Sequence, residues 1–525
     1  MSRTREALSL VGLPLVLTLF FLLASDFLVG VYDEGVMLTG AFRILNGDVP
    51  SLDFYANYGP AQFYVLAGLF KVFGANVLVA RIYDAAVSGA IVSFAHFYLR
   101  RTCPRWLAAS CALCLAALLL EFQFHASPIP ICILLSMVGT AKLSDLLAGD
   151  DGKWAYLPVS VVLGLLLLFR YDIAPLVTLA LVLPIGLVHL SGDRNSGMGY
   201  RHSIRRVVGT VLVLAIAPAL ALLLLATTGI LLPAVHDLRA YSGANYVAMR
   251  SLPFPNATQL VQSPVDSLAV YLPIAAALFA TLTMGRAKRE KWAFLADRQM
   301  VSIVVFTVVT GLFFTKGWVR TSGLHMLFAN VPAAMLVFLC LLQRLSRDGS
   351  RRTFVVVVSL SLSLFALTLS MNWRSSPLYR ELGRLEVHSE LPALSYFGVE
   401  PSRLFVAQYI VRNTRPGDRI HAATGRHDKI FISDVLIYFL TQRMPATRWH
   451  HYEPGVQSTE LVQLEIIRDL KANGISLLMR DLSWDEFREP NESSRGSGVH
   501  YLDQYLAETY RPILRSGPIF LYGRD

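Results

Sequence analysis

Two neighbouring carboxylates, Asp33 and Glu34, follow the first long apolar stretch of the chain, in the run Tyr32-Asp33-Glu34-Gly35. A carboxylate at the boundary between lipid and water has its pKa raised by desolvation and lowered by a nearby cation, so this position can tune a general base. The alternative is an acidic pair that only ends a helix outside the membrane. A third carboxylate, Asp53, follows in Leu52-Asp53-Phe54, where a turn or helix-capping role is equally open.

Basic residues that could bind a phosphate lie beside other apolar stretches. Arg170 stands in Arg170-Tyr171-Asp172, and Lys316 and Arg320 precede His325 by a few residues. A guanidinium binds phosphate through two parallel hydrogen bonds, and a cation close to hydrocarbon is costly unless it is paired or functional. A structural Arg170–Asp172 ion pair and a packed, neutral His325 are the competing interpretations.

The composition places these residues in a membrane protein. Of the 525 residues, 54% are hydrophobic and 16% charged, and the mean hydropathy is +0.49, which is outside the range of soluble globular proteins. About eleven stretches are long and apolar enough to cross a bilayer. They lie near residues 7–26, 77–99, 106–124, 128–148, 155–170, 173–191, 207–231, 267–284, 299–315, 324–343 and 353–371.

The loops between these stretches alternate in charge. The loops around Arg100, Arg205, Lys288 and Arg347 are rich in Lys and Arg and are therefore predicted to be cytoplasmic. The N-terminus is then inside, and the first long loop, residues 27–76, is outside with the C-terminal region. The net charge of +10 follows from this topology, so nucleic acid is not predicted as a partner.

Two external regions have structure of their own. The first loop contains helix-like stretches from Glu34 to Leu45 and from Ala61 to Phe73, which predict helices lying on the outer leaflet. The pattern divides the chain into a transmembrane domain, 1–375, and an extracytoplasmic α/β domain, 376–525. In the latter, strands are expected at Ile410-Val411, 475–479 and 519–522, and helices at 429–441 and 459–472.

The first loop resembles that of a known superfamily. The resemblance lies in Tyr32-Asp33-Glu34-Gly35, in Asn46-Gly47-Asp48-Val-Pro50, in Tyr58-Gly59-Pro60 and in the run to Gly74. The order of these elements is similar to the first periplasmic loop of the GT-C glycosyltransferases, which include protein O-mannosyltransferases and the lipid A aminoarabinose transferase.

That resemblance implies a GT-C-like polytopic helical fold in the cytoplasmic (inner) membrane, with the active site facing the periplasm or exterior. It also implies an inverting transfer of a sugar from a polyprenyl-phosphate donor to a lipid, glycan or protein acceptor. Asp33 would be the general base and Glu34 its neighbour in the motif, and Asp53 would orient the acceptor or help to bind a metal. Arg170, Lys316, Arg320 and His325 would face the donor phosphate, although Ser322 replaces an acidic residue often found between the family's Arg and His.

Other functions remain open from the residues alone. A transporter or lipid-linked-sugar flippase would use charged residues inside spans, where Asp84 and Lys142 are among the few and look peripheral. A receptor would need its C-terminal domain but not its acidic loop. No cofactor is predicted with certainty, and a divalent metal is left open. His427, His450 and His451 lack the spacing of a known metal motif, so loop positions are the simpler interpretation.

Overall fold

The structure, a computed structural model, describes residues 3–149, 152–196, 200–243, 245–289, 297–348, 351–373 and 388–524. Seventeen helices precede residue 374 in these ranges: α1 Arg3–Leu23, α2 Asp33–Leu45, α3 Ala61–Phe73, α4 Val77–Leu99, α5 Arg105–Glu121, α6 Pro128–Leu147, α7 Leu157–Phe169, α8 Ile173–Ser196, α9 Tyr200–Leu214, α10 Ile216–Thr227, α11 Leu231–Gly243, α12 Tyr246–Arg250, α13 Ala257–Gln262, α14 Pro264–Arg289, α15 Arg298–Trp318, α16 Gly323–Asp348 and α17 Arg351–Trp373.

Every predicted span falls on a helix, which confirms a polytopic helical membrane protein. Among the described residues, seven helical segments are long and apolar enough to cross a membrane by length and composition: Val77–Leu99, Pro128–Leu147, Ser203–Thr227, Pro264–Arg286, Arg298–Trp318, Gly323–Leu345 and Arg352–Asn372. The other predicted spans correspond to α1, α5, α7 and α8, whose apolar parts are shorter.

One span, Ser203–Thr227, is divided into α9 and α10 at Ala215. Pro218 causes the break because it has no N–H to donate to the preceding turn. Ser160 of α7 repairs it: its hydroxyl donates to the carbonyl of Leu214 (3.0 Å) and accepts from the N–H of Ala217 (3.0 Å). Gly164, one turn further along α7, lets the two helices approach, since a Cβ there would lie 2.8 Å from the Ala217 oxygen.

Both helices predicted in the first loop are present as α2 and α3, but α2 does not lie on a surface. Every residue of α2 from Glu34 to Arg43 is buried. Gly35 explains part of this arrangement, because a Cβ there would lie 2.7 Å from the backbone nitrogen of Leu436. The backbone of the C-terminal region therefore packs directly on α2, where a lipid surface was expected.

The C-terminal region is an α/β unit, with helices α18 Pro401–Asn413, α19 Leu436–Thr441, α20 Glu460–Asn473 and α21 Tyr501–Thr509, and strands β1 Arg419–Thr424, β2 Met444–Pro445, β3 Leu477–Asp481, β4 Tyr510–Ser516 and β5 Ile519–Arg524. The strands form one sheet in the order β2-β1-β3-β5-β4. Strand β1 is parallel to both of its neighbours, and β5 is antiparallel to β3 and β4.

The strand predicted at Ile410-Val411 is wrong, because both residues lie in α18. The buried positions of α18, Arg403, Val406, Ala407 and Ile410, recur every three or four residues, which is a helical period. The helix predicted at 429–441 is shorter than expected and begins at Leu436. The strands near 475–479 and 519–522 and the helix near 459–472 are confirmed.

The first loop and the C-terminal unit share one hydrophobic core. Residues of α2 and α3, such as Leu38 and Phe63, belong to the same buried cluster as Leu436 and Ile420 of the C-terminal unit. Polar contacts reinforce it, since the Thr39 hydroxyl donates to the carbonyl of Val435 (3.0 Å). The domain division at residues 375 and 376 stays a prediction, and its two parts meet through the loop that carries Asp33.

Candidate active site

Asp33 is the first residue of α2, and its side chain is exposed in a recess that protein surrounds on most sides. Among the described residues, its carboxylate has no hydrogen bond or ion pair. Burial of the recess raises the pKa of Asp33, and the negative charge of Glu453 raises it further. Arg250, Arg170 and Arg320 act in the opposite direction. Asp33 is thus an accessible, unpaired carboxylate close to three guanidinium groups.

Arg170 and Lys316 share one carboxylate. Arg170 donates two hydrogen bonds to Asp172 (2.8 and 2.7 Å), and the Nζ of Lys316 lies 3.0 Å from the same side chain. Burial alone would raise the pKa of Asp172, but Arg170 and Lys316 outweigh it and hold that pKa well below its usual range. The structural ion pair considered from the sequence is therefore present. It leaves one excess positive charge on this trio.

The first loop places Tyr58 against Arg170. The guanidinium lies over the Tyr58 ring at 4.7 Å from its centre, which is a cation–π contact. Gly59 makes this approach possible, because a Cβ there would lie 2.2 Å from the carbonyl oxygen of Leu168. The N–H of Gly59 donates to the carbonyl of Phe169 (3.1 Å). Gly59 therefore allows the first loop to pack directly against the end of α7.

Arg320 and Arg250 are each paired with a carboxylate of the C-terminal unit. Arg320 binds Glu489 through two hydrogen bonds, one of 2.9 Å from Nη1, and Arg250 donates to Glu453 (2.7 Å). The two arginines are joined, since Nη1 of Arg320 also donates to the Arg250 carbonyl (3.3 Å). Arg320 lowers the pKa of Glu489 despite its burial, so that pair is ionised on both sides.

His325 lies in the first turn of α16, among the same cations. Its Nδ1 forms a 2.7 Å hydrogen bond with the hydroxyl of Ser322, the residue that departs from the family pattern. Lys316, Arg320, Arg250 and Arg170 all act on the imidazole electrostatically. The four residues predicted to bind phosphate, Arg170, Lys316, Arg320 and His325, therefore lie near one another, and two of them, Arg170 and Arg320, also act on Asp33.

Glu34 points away from this recess. Its side chain is buried, lies 3.0 Å from Nε of Arg81 on α4, and accepts from the N–H of Gly30 (2.8 Å). These contacts fasten the start of α2 to α4. They are those of a structural residue, and a catalytic role for Glu34 stays a prediction.

Asp53 stabilises the turn in which it lies. Its carboxylate accepts from the N–H of Val49 (2.7 Å), and its carbonyl accepts from Arg43 (3.1 Å). These partners belong to the first loop and not to the group of cations around Asp33. The structure therefore does not bring Asp53 together with the other candidates, and its catalytic role also remains untested.

An apolar cavity of about 480 Å³ lies beside the first loop. It lies between the first loop and the helices α7 and α10, and is lined by Val49, Leu52, Pro60, Ala61, Tyr64, Leu168, Leu224, Leu225, Thr228 and Ile230. Pro60 is two residues from Tyr58, and Leu168 is two residues from Arg170. Two of the lining residues are thus near neighbours in the chain of the Tyr58–Arg170 cation–π pair.

Two solved structures share this architecture. ArnT from Cupriavidus metallidurans bound to undecaprenyl phosphate aligns over 99% of this chain and 98% of its own, with 14% identity and a TM-score of 0.56. The apo state of the same protein gives the same coverage and identity and a TM-score of 0.57. The chain has the fold of ArnT. At this identity the likeness concerns the fold, and it confirms the architecture that the first loop's resemblance implies.

An oligosaccharyltransferase from Archaeoglobus fulgidus, solved with Zn and sulfate, aligns with 12% identity and a TM-score of 0.48 over 99% of this chain and 72% of its own, and we draw nothing from it. The sequence matches no protein-family model. It also matches no curated protein.

The described residues contain one group that could hold a metal ion, Asp428, His500 and Asp503 in the C-terminal unit. Its two carboxylates already form ion pairs with arginines: Arg426 binds Asp428 (2.6 Å), and Arg480 binds Asp503 (2.7 Å). The carboxylates around Asp33 are likewise held by arginine and lysine. Both donor sets are better matched to ion pairs than to a metal, and a metal requirement stays an open prediction.

Three residues of the recess were not predicted from the sequence as site residues: Arg250, Glu453 and Glu489. Arg250 belongs to a polar, aromatic loop, 232–266, and that composition is the signal that could have found it. Glu453 carries no such signal. It is more than 400 residues from Asp33 in the chain, and only the shared core brings the two together.

Proposed function

We propose that this protein is an inverting glycosyltransferase of the membrane, which transfers a sugar from a polyprenyl-phosphate donor to a hydroxyl group of an acceptor. The observation that carries the proposal is Asp33, an accessible carboxylate beside paired guanidinium groups that has no partner of its own in the described parts of the chain. A proton acceptor needs a free lone pair and access to substrate, and a phosphate leaving group needs cations. The recess supplies both.

In the proposed reaction, Asp33 accepts the proton of the acceptor hydroxyl as that oxygen attacks the anomeric carbon. The bond between this carbon and the phosphate oxygen breaks, and its electron pair leaves with the polyprenyl phosphate. The attack comes from the face opposite the phosphate, so the anomeric configuration inverts. The raised pKa of Asp33 makes it a stronger base than an ordinary aspartate.

The cations would stabilise the charge that develops on the leaving phosphate. Arg170 and Lys316 together carry one more charge than Asp172, and Arg320 presents a planar fork that fits phosphate oxygens as well as it fits Glu489. The neighbouring apolar cavity of about 480 Å³ suits part of a prenyl chain, because its lining is almost entirely hydrocarbon. The solved ArnT complex with undecaprenyl phosphate supports a lipid phosphate of this class.

The proposal includes a cellular place. The basic loops predict that the recess faces the periplasm or exterior from the cytoplasmic membrane, where a lipid-linked sugar is available. The sugar and the acceptor follow from neither the fold nor the site.

The test compares cells with and without the gene by mass spectrometry of lipids and envelope glycans. Loss of a sugar increment in cells without the gene would identify product and acceptor. Restoration should fail with Asp33→Asn, which we expect to lower transfer by about 10²- to 10⁴-fold. A matched control is Glu460→Gln, which neutralises another exposed acidic residue at the start of a helix and should restore the increment.

The proposal is overturned if Asp33→Asn protein, present at the wild-type level in membranes, restores the increment fully. It is also overturned if the protein moves a lipid-linked sugar across the membrane and forms no new glycosidic bond. The second outcome would support the transporter alternative.

A further inference from the structure

Glu453 connects three distant parts of the chain at the wall of the recess. One carboxylate oxygen accepts from the side-chain amide of Asn57 in the first loop (3.1 Å) and the other accepts from Arg250 of α12 (2.7 Å). The side chain is only 6% exposed, and its backbone N–H donates to Gln457 (2.6 Å). Both oxygens and the backbone are thus fixed, so Glu453 has a single defined position.

The segment that carries Glu453 is tied to the residue before Asp33. The hydroxyl of Tyr32 donates to the carbonyl of Tyr452 (2.8 Å). Tyr32 is buried, so this hydrogen bond forms away from water. The distance between Glu453 and Asp33 is therefore set by contacts on both sides, rather than by a mobile loop.

We propose that Glu453 is a positioning residue of the transfer site, whose carboxylate holds Arg250 and Asn57 in the wall of the Asp33 recess. The C-terminal unit then has a defined role, which is to complete a site that the membrane helices and the first loop leave open on one side. This inference rests on the proposed function. A purely structural ion pair would stabilise the fold equally well but would not influence Asp33.

The pH dependence of transfer separates these two roles. The charged and titratable groups acting on Asp33 are Glu453, Arg250, Arg170, Arg320, Tyr32 and Tyr58. The negative charge of Glu453 raises the pKa of Asp33, so its removal lowers that pKa. Because a general base works only when deprotonated, the acidic limb of the rate profile should move to lower pH.

The experiment uses the purified full-length protein, with membranes from cells lacking the gene as the source of native donor and acceptor. The rate of the sugar increment is measured by mass spectrometry across the acidic range. With Glu453→Gln we expect a plateau rate lower by about tenfold and an acidic limb displaced to lower pH. Glu508→Gln, on the exposed face of α21, should leave both unchanged.

If Glu453→Gln fails to fold, Glu453→Asp decides, since it keeps the charge and shortens the reach. A lower plateau with a wild-type acidic limb would support positioning, whereas a wild-type plateau would overturn it. Unchanged profiles for folded Glu453→Gln, with Asp33→Asn inactive, would overturn this inference and leave the proposed function in place. Activity of Asp33→Asn itself would instead reject the proposed function.

Discussion

Asp33 and Glu34 are neighbours in the chain, yet they belong to two acidic regions of opposite character. Asp33 is exposed, unpaired among the described residues and surrounded by cations that hold other carboxylates. Glu34 is buried and paired with Arg81. The comparison shows that residue type alone does not make a carboxylate catalytic. A carboxylate is available for chemistry when nearby charged groups can shift its pKa but are themselves paired with other residues.

The region around Glu34 is a buried polar cluster at the outer ends of α1 and α4. Arg81 also donates to the carbonyl of Leu28 (3.2 Å), and Asp84 accepts from the N–H of Ala126 (2.8 Å). His125 lies 3.8 Å from Asp84 beside a cavity of about 20 Å³, which has room for one water molecule. Asp84, which looked peripheral in the sequence, is part of this buried cluster. Asp84 joins α4 to the segment between α5 and α6, and the Glu34–Arg81 pair joins the first loop to α4.

Among the variants that test this comparison, Arg81→Met should have the largest effect, a loss of stability. This change removes the cation and leaves Glu34 buried without its partner, which typically costs about 3–5 kcal/mol of stability. Thermal unfolding of the purified protein in detergent measures the loss. The control is Arg101→Met, which breaks an exposed pair with Asp145 and should cost about 0–1 kcal/mol. Equal unfolding temperatures for the two variants would contradict a structural role for the Glu34 cluster.

The next effect concerns the recess, where Arg320→Lys should raise the donor KM about tenfold. Lysine keeps the charge but cannot present the two parallel N–H groups that a phosphate or Glu489 binds. Steady-state kinetics with the donor identified by mass spectrometry provide the measurement. Arg412→Lys, in an exposed pair with Glu390, serves as the matched control. An unchanged KM for Arg320→Lys would remove Arg320 from the donor site.

A smaller effect of opposite sign is expected from Glu489→Gln. In the present arrangement Glu489 occupies the fork of Arg320, so a donor phosphate must displace it. A neutral amide holds Arg320 less strongly, and the donor KM should fall by about two- to fivefold. The same kinetic assay decides. A higher KM would show that Glu489 positions Arg320, as Glu453 is proposed to position Arg250.

The sequence predicted much of this arrangement, and its failures have physical causes. Hydropathy predicted the spans, all of which fall on helices, because it is a local signal; the motif is local too, and the role it implies for Asp33 stays a prediction. The sequence did not show that Asp33 and Glu34 face different surroundings. Successive helical residues differ in direction by about 100°, and which of them faces the core depends on how α2 packs. Glu453 and Glu489 were missed because they reach the recess through tertiary contacts, as partners of Arg250 and Arg320 respectively. Ile410-Val411 has the composition of a strand, but its neighbours bury with a helical period.

The smallest expected effect is the change in stability caused by Asp33→Asn. This variant should be slightly more stable than the wild type although it loses transfer activity. The folded pKa of Asp33 is raised above the ordinary value of 3.8, so the folded protein disfavours the charged form. Above that raised pKa the charge costs stability, and as the pH falls below 3.8 the carboxylate is neutral in both states and the cost disappears. The gain at neutral pH should be at most about 1 kcal/mol, since Asp33 is exposed and solvent screens its charge.

Unfolding temperatures measured at neutral and acidic pH should therefore differ between wild type and variant only at neutral pH. A loss of stability at neutral pH would instead mean that Asp33 holds the recess together, as Glu34 holds its own cluster.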